Sequence, residues 1–463
     1  MTVTKSISDS LRPEILIARL ERLPLSRSLV MVRVIVGLAT LFDGFETLAI
    51  AFVMPVLITE WHLSPAEVGA IISIGYIGQL VGALFFGWLA ERWGRLNCLL
   101  ITVSIFTAMS LSCVFAWSGT ALMVFRFIQG IGTGGEVPVA SAYINEFIGA
   151  KKRGKFFLLY EVLFPIGLMM AALIGYFIVP AFGWRAMFII GVIPALLTIP
   201  LRFFLPESPR WLINRGRIAE AGAVIARMEQ EVEKSGTTLP PLAEVPDQQL
   251  NVNKTAAAQG KWTELFSSFY RPRTLMIWVL WLVAYMINNG MATWLPSLYK
   301  TVFKLPLDKS LLYSFCTQTL GVIAAIVCAL YIDKVGRRKW YIAAFSLAIL
   351  PLGVMSIMGV VSVNQVWFFC SIVYAVLQTV TFSLYLYSAE LYPTRIRAVG
   401  NGFGSAWLRI GSALGPVIVG NLIATGGISW VFSFFALFAF IAALVCWKFM
   451  IETKGRVLEE ISP

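Results

Sequence analysis

The sequence predicts an all-α integral membrane protein, with twelve transmembrane helices in two six-helix bundles related by pseudo-twofold symmetry. Three observations carry that prediction. Of 463 residues, 58% are hydrophobic and only 13% charged, and the mean hydropathy is +0.78, whereas soluble domains carry about 25% charged residues. Apolar runs of about 20 residues, enough to cross a hydrocarbon core of roughly 30 Å, recur along the chain. Polar landmarks between those runs repeat from one half to the other at a nearly constant offset.

Residues 1–29 form a polar, basic segment with an amphipathic stretch around Leu16 to Leu25 and no apolar core leading to a cleavage site, so the first helix is expected to be retained. The first bundle, residues 30–206, has spans beginning near Val30, Glu67, Leu96, Ala121, Lys155 and Trp184. A polar central loop, residues 207–273, separates it from the second bundle, residues 274–452, whose spans begin near Thr274, Ser310, Trp340, Gln365, Ala398 and Ser429. Residues 453–463 form a tail.

Basic residues fall on alternate connections: Arg12 to Arg27, Arg92 with Arg95, Lys151 to Lys155, the central loop, Lys334 to Lys339, Arg395 with Arg397, and Lys454 with Arg456. Lys and Arg concentrate on the cytoplasmic side of membrane proteins, which predicts that both termini are cytoplasmic. Lys300, Lys304 and Lys309 are an exception on an outer connection. The formal charge of +12 is thus dispersed between apolar runs and not gathered on one solvated face, which argues against nucleic acid as a partner. The six cysteines lie in apolar runs without CxxC spacing, so neither a metal site nor a disulfide framework is expected. No phosphate-binding Gly-x4-Gly-Lys-Ser/Thr loop occurs, and the one histidine, His62, lies in an outer connection, which leaves no basis for ATP-driven work or intramembrane catalysis. No cofactor is expected.

The repeats are specific. Glu91-Arg92-Trp-Gly94-Arg95 recurs 242 residues on as Asp333-Lys334-Val-Gly336-Arg337, and Glu146 with Arg153 recurs 244 residues on as Glu390 with Arg397. Glu207-Ser208 has a weaker echo in Glu452-Thr453. These motifs, with the run Arg126-Phe-Ile-Gln-Gly130-Ile-Gly132-Thr-Gly134, resemble the major facilitator superfamily over essentially the whole chain. The resemblance implies solute transport by alternating access, with the solute site between the halves. It also implies a conformational latch of Glu91, Arg92, Arg95, Glu146 and Arg153 in one half, and Asp333, Arg337, Glu390 and Arg397 in the other. Leu96 stands where the family has a basic residue, and Ala329 where the second copy has glycine.

Within the superfamily, the Glu-x6-Arg pairs and Pro206-Glu-Ser-Pro-Arg210 look like the sugar-porter branch and its relatives. Three departures argue against a sugar: Glu161 in place of a glutamine, Asn288-Asn289 in place of a glutamine pair, and Thr379-Val-Thr381-Phe-Ser383 in place of Gly-Pro-x-Pro-Trp. Asp43-Gly-Phe-Glu46, Gly134-Gly-Glu136-Val-Pro138, Ala389-Glu-Leu-Tyr-Pro-Thr-Arg395 and Leu408-Arg409-Ile-Gly411 resemble bacterial metabolite:proton symporters of the nicotinate-permease and aromatic-acid type. They resemble more distantly the animal organic anion and cation carriers.

Ionisable groups inside a bilayer are costly, so each is a functional candidate with a partner to be found. Asp43 and Glu46 are three residues apart and share a helix face, an arrangement suited to carrying a proton. Arg126 is the expected counter-ion, and by resemblance the Glu46 and Arg126 pairing matches the acid and arginine that couple protons in related porters. Glu161 is either a second proton site or a cation ligand; Glu136 is read as structural. Arg409, near the middle of the eleventh span, can grip a carboxylate bidentately or pair internally with a carboxylate such as Glu161. Tyr285, Asn288, Asn289, Tyr374 and Gln378 offer aromatic faces and amides for a flat heterocycle. The resulting expectation is a monomeric proton-coupled symporter in a bacterial inner membrane, importing a small aromatic or heterocyclic monocarboxylate such as nicotinate. A sugar, an organic cation or an exported drug is the alternative cargo.

Overall fold

Long apolar runs leave the backbone no partner but itself in lipid, and all regular structure among the described residues is helical. The computed structural model describes residues 12–24, 26–147, 162–194, 196, 203–236, 238–242, 262–359 and 362–454. A short helix α1 (Pro13–Arg22) precedes α2 (Arg27–Glu60), α3 (Pro65–Trp93), α4 (Arg95–Val114), α5 (Gly119–Phe147), α6 (Leu163–Phe182) and α7 (Arg185–Ile190). The central stretch holds α8 (Pro209–Asn214), α9 (Ile218–Lys234) and a 3-10 turn (Trp262–Phe266). The second half comprises α10 (Arg271–Thr301), α11 (Leu307–Val335), α12 (Arg337–Ile357), α13 (Val363–Leu391), α14 (Thr394–Gly426) and α15 (Ile428–Phe449).

Each expected span start with a described counterpart falls within about one helical turn of it; Lys155 lies outside the described residues. Ten of the described helices are long and apolar enough to cross a membrane. α5 has the length but carries Arg126 and Glu136, and α7, followed by turns to residue 194, is the described beginning of the sixth span. Local punctuation matches the sequence. Ser64 and Glu67 form a capping box at the start of α3. Gly94 and Gly336 turn the chain between α3 and α4 and between α11 and α12 at φ of +102° and +97°, where a side chain would be strained.

Glycines set the closest crossings, as expected where lipid supplies no hydrophobic drive between helices. A Cβ on Gly167 of α6 would come within 2.0 Å of the Leu41 carbonyl oxygen of α2, and one on Gly411 of α14 within 2.4 Å of the Leu282 carbonyl of α10. The same crossing is therefore built in both halves.

The halves meet chiefly through α3 on α14, α6 on α11 and α2 on α10. The α3–α14 seam is tight at the ends farthest from the termini. Ser73 Oγ donates to the Ala413 carbonyl at 2.6 Å, and Gly69 and Gly420 lie so close to the Pro416 and Pro65 carbonyls that a Cβ would approach within 2.7 and 2.4 Å. On the other face α8 and α9 pack on α1, α2 and α5, while the 3-10 turn packs on α10 and α14. The amphipathic stretch expected at Leu16 to Leu25 forms α1, whose Leu16 and Leu20 are fully buried and whose Arg19 and Arg22 both hold Glu229 of α9, at 2.5 and 2.7 Å.

Candidate functional site

A cavity of about 100 Å³ lies where the two halves face each other, walled by α2, α3, α5 and α6 on one side and α10, α13 and α14 on the other. Asp43 and Arg409 both open onto it. Arg409 is 3% exposed and points from α14 across the interface: its Nη2 donates to the Gly134 carbonyl of α5 at 3.3 Å, its Nη1 to the carbonyl of Ser405 at 3.0 Å and to the Ser405 hydroxyl. Its Nε has no hydrogen-bond partner. Asp43 interacts with it electrostatically, yet among the described residues no carboxylate lies within the 4.0 Å of an ion pair with it. One oxygen of Asp43, Oδ1, is likewise buried without a partner. Glu161, the internal partner considered for Arg409, lies outside the described residues.

Four of the five remaining candidates for the solute line the same cavity: Tyr285, Asn288, Asn289 and Gln378. Asn288 Nδ2 donates to Gln378 Oε1 at 2.8 Å and Asn289 Nδ2 to Ser412 Oγ at 2.7 Å, so helices α10, α13 and α14 fix the amides. Tyr285 stacks on Trp281 at 5.5 Å, and Trp281 in turn meets the edge of Tyr385 at 4.6 Å. Tyr374 is the exception. It is buried between α13 and α11, where its hydroxyl donates to Gln318 Oε1 at 2.5 Å and its ring fills the space left by Gly321. The correction has a simple cause: Tyr374 lies one helical turn from Gln378 on much the same side of α13, but there α11, with the bare backbone of Gly321, closes over its ring and keeps it out of the cavity wall. Sequence reading missed Tyr76, Gln79, Thr133, Phe164 and Tyr385 on the cavity wall; of these, Gln79 in the middle of an apolar run was a visible signal.

Glu46 is held differently from Asp43. It does not line the cavity. Its Oε2 accepts from Gln129 Nε2 at 2.7 Å, its Oε1 lies 2.7 Å from Ser110 Oγ, and Arg126 Nη1 donates to its backbone carbonyl at 3.2 Å and to Gln129 Oε1 at 2.6 Å. The expected carboxylate–guanidinium contact between Glu46 and Arg126 is therefore indirect, with Gln129 relaying between them. Gly191 makes room for it, since a Cβ there would sit 1.8 Å from Glu46 Oε1. Glu136 accepts from Thr40 at 2.9 Å behind the cavity wall.

At the terminus side, Arg95 bridges Glu91 at 2.7 Å and Glu146 at 2.9 Å, and Arg337 bridges Asp333 at 2.6 Å and Glu390 at 2.9 Å. The faint echo of Glu207 in Glu452 is a structural equivalence: Glu207 accepts from the backbone N–H of Arg95 at 3.0 Å, and Glu452 from that of Arg337 at 2.9 Å. Each network lies within its own half. Two latch candidates stand apart from these bridges. Arg92 lies over the Trp88 ring at 4.3 Å, at the end of α3 before the Gly94 turn, whereas Arg95 starts α4 after it. Arg397 donates to the Tyr392 carbonyl at 3.2 Å. Arg153 lies outside the described residues.

A family model described as sugar (and other) transporter matches residues 34–463. The chain belongs to that transporter family. The chain is 35% identical over 96% of its length to the niacin transporter NiaP of Acinetobacter baylyi, covering 99% of that protein. It is 26% identical to the 4-hydroxybenzoate transporter PcaK of the same organism, with 86% of each chain covered. Its structure matches the xylose transporter XylE of E. coli in a partially occluded inward open conformation, with a TM-score of 0.74 at 20% identity, over 93% of this chain and 100% of that one. The fold is the twelve-helix major facilitator fold, and the protein is a multi-pass membrane transporter of small molecules, not an enzyme.

Proposed function

We propose that this transporter is a proton-coupled symporter that imports a small aromatic or heterocyclic monocarboxylate, nicotinate being the best single candidate. The observation that carries the reading is Arg409: a guanidinium buried on the cavity wall, with no ion-pair partner among the described residues and an unsatisfied Nε. A buried charge left uncompensated is costly, and a carboxylate offers it charge and hydrogen bonds together. Tyr285, Tyr76, Phe164 and Tyr385 around it suit the faces of a flat ring, and the amides of Asn288, Asn289 and Gln378 suit a ring heteroatom. The similarity to a niacin transporter and to a 4-hydroxybenzoate transporter supports the same cargo class.

Hydrogen-bond accounting supports a proton on the Asp43 and Glu46 pair. Ser110 has one hydroxyl hydrogen but faces two acceptors, Glu46 Oε1 at 2.7 Å and the Phe188 carbonyl at 2.9 Å. An ionised Glu46 leaves one acceptor unserved; a protonated Glu46 donates to Ser110, which then donates to Phe188. Asp43, beside Arg409 on the cavity wall, is the carboxylate that an entering proton meets first. Protonation of Asp43 removes a negative charge near Arg409 and leaves the substrate carboxylate as the guanidinium's counter-charge, so both are taken up together. The side of the terminal segments is read as cytoplasmic and the membrane as a bacterial inner membrane, on the distribution of Lys and Arg.

The test is uptake of radiolabelled nicotinate, with benzoate and a hexose as controls, into proteoliposomes with and without an inward proton gradient. Gradient-driven nicotinate uptake that is lost in Arg409→Ala and becomes independent of the gradient in Glu46→Gln supports the reading. Uptake of the hexose or of an organic cation in place of nicotinate discards the substrate.

A further inference from the structure

Beyond the central cavity, the structure carries an open groove of about 560 Å³ on its outer surface, between the turn joining α3 to α4 and the helices of the central stretch, lined by Arg92, Trp93, Asn97, Trp211 and Arg217. We propose that this groove binds an anionic phospholipid of the terminus-side leaflet, with its phosphate between Arg92 and Arg217.

Depth is the first argument. Trp88 and Trp93, at the end of α3, are 51% and 60% exposed, and tryptophans exposed at a span end mark the headgroup level of a bilayer. Leu100 and Ile101 continue the groove along α4, about 8 Å from Arg95 at 1.5 Å per residue, toward the hydrocarbon. A ligand that fits is charged at one end and apolar at the other.

Charge is the second. Arg92 is exposed and makes no hydrogen bond or ion pair among the described residues; its guanidinium lies over the face of Trp88 at 4.3 Å. Arg217 lies over Trp211 at 5.7 Å and pairs with Glu220 at 2.6 Å. Both members of that pair are about half exposed, and Glu220 takes only Nε and Nη2, each at 2.6 Å, which leaves Nη1 to donate to a phosphate. Asn97 Nδ2 donates to the Trp93 carbonyl at 3.0 Å, and Trp211 Nε1 to the Glu91 carbonyl at 2.9 Å, which fixes the groove walls. Basic pockets beside spans on the cytoplasmic side are where anionic headgroups are held.

Position gives the site a consequence. The Glu91 carbonyl that holds Trp211 also accepts from Arg215, and the Glu91 side chain is bridged by Arg95. A lipid in the groove therefore fastens α8 and α9 to the end of α3 beside that bridge. Trp211 and Arg217 come from the central stretch, whose helices pack on the first half, so the site belongs to one half.

Native mass spectrometry of the full-length transporter, titrated with phosphatidylglycerol, phosphatidylcholine or inorganic phosphate, tests this. At about 1 kcal/mol for each basic residue, Arg92→Gln with Arg217→Gln weakens the first phosphatidylglycerol adduct about thirtyfold. Arg227→Gln with Lys334→Gln, an equal loss of charge elsewhere on the same side, leaves it unchanged, and Arg92→Lys with Arg217→Lys restores part of it. Equal phosphatidylglycerol affinity in the Gln pair, equal affinity for phosphatidylcholine, or displacement of the lipid by millimolar phosphate overturns the proposal. Size-exclusion profiles of each variant separate lost binding from lost folding.

Discussion

Two carboxylates three residues apart on α2 have different surroundings. Asp43 opens to the cavity with a buried oxygen unsatisfied, while Glu46 is enclosed by Ser110, Gln129 and the bare backbone of Gly191. Gly191→Ala places a methyl group where the Glu46 carboxyl lies. Such overpacking costs about 1–3 kcal/mol, so thermal unfolding of the purified variant should fall accordingly and its uptake should lose dependence on the proton gradient, as expected of Glu46→Gln. Tyr374 supplies the opposite case. Its hydroxyl bonds Gln318 of α11 and it is not part of the cavity lining, so Tyr374→Phe should cost about 1 kcal/mol of stability and leave the KM for uptake unchanged. A raised KM with unchanged stability would return Tyr374 to the solute site.

Among the elements, α1 is held to the rest by charge as much as by Leu16 and Leu20. Burial alone raises the Glu229 carboxyl, but the guanidiniums of Arg19 and Arg22 outweigh it and hold the group below its ordinary value of 4.5. A carboxyl lowered in the folded state stabilises above its unfolded pKa, and that contribution is lost as pH falls through the lowered value. Docking of α1 on α9 should therefore be intact at neutral pH and weaken below about pH 4. Hydrogen exchange over residues 13–22 reads this directly: protection should drop in acid, and Glu229→Gln should remove the pH dependence. Protection that is unchanged at both pH values would assign docking to the leucines alone.

For the whole molecule, the tight α3–α14 seam and the separate packing of the terminus-side helices on their own halves describe a transporter closed at the end far from its termini. Gly69 faces Pro416 and Val417 across the seam. Gly69→Leu should wedge this end apart, since even a Cβ there would sit 2.7 Å from the Pro416 carbonyl. Uptake into proteoliposomes should fall steeply while the protein still folds by size-exclusion profile, because a transporter that cannot close one end cannot complete its cycle. Full uptake by the variant would mean that closure of this seam is not needed for transport.

The sequence by itself determined the class, the starts of the described spans, the duplication, and which ionisable residues lie within those spans. Apolar run length and the cost of a charge in lipid are properties of a short stretch of chain, so they can be read along one dimension. Tertiary structure decided which way each helix is turned. Spans here are apolar on the lipid side and on the protein side alike, so periodicity does not mark an inner face as it does in a soluble helix, and small residues at the crossings set the rotation instead. Tyr374 and Gln378, one turn apart and on much the same side of α13, meet different neighbours, Gln318 of α11 for one and the cavity for the other. Ser110 and Gln129, from α4 and α5, were not visible as the partners of Glu46, because only the lateral packing of those helices on α2 brings them to it. Glu207 and Glu452, a weak echo in the chain, become equivalent in space because each receives the backbone of a glycine-turned helix start.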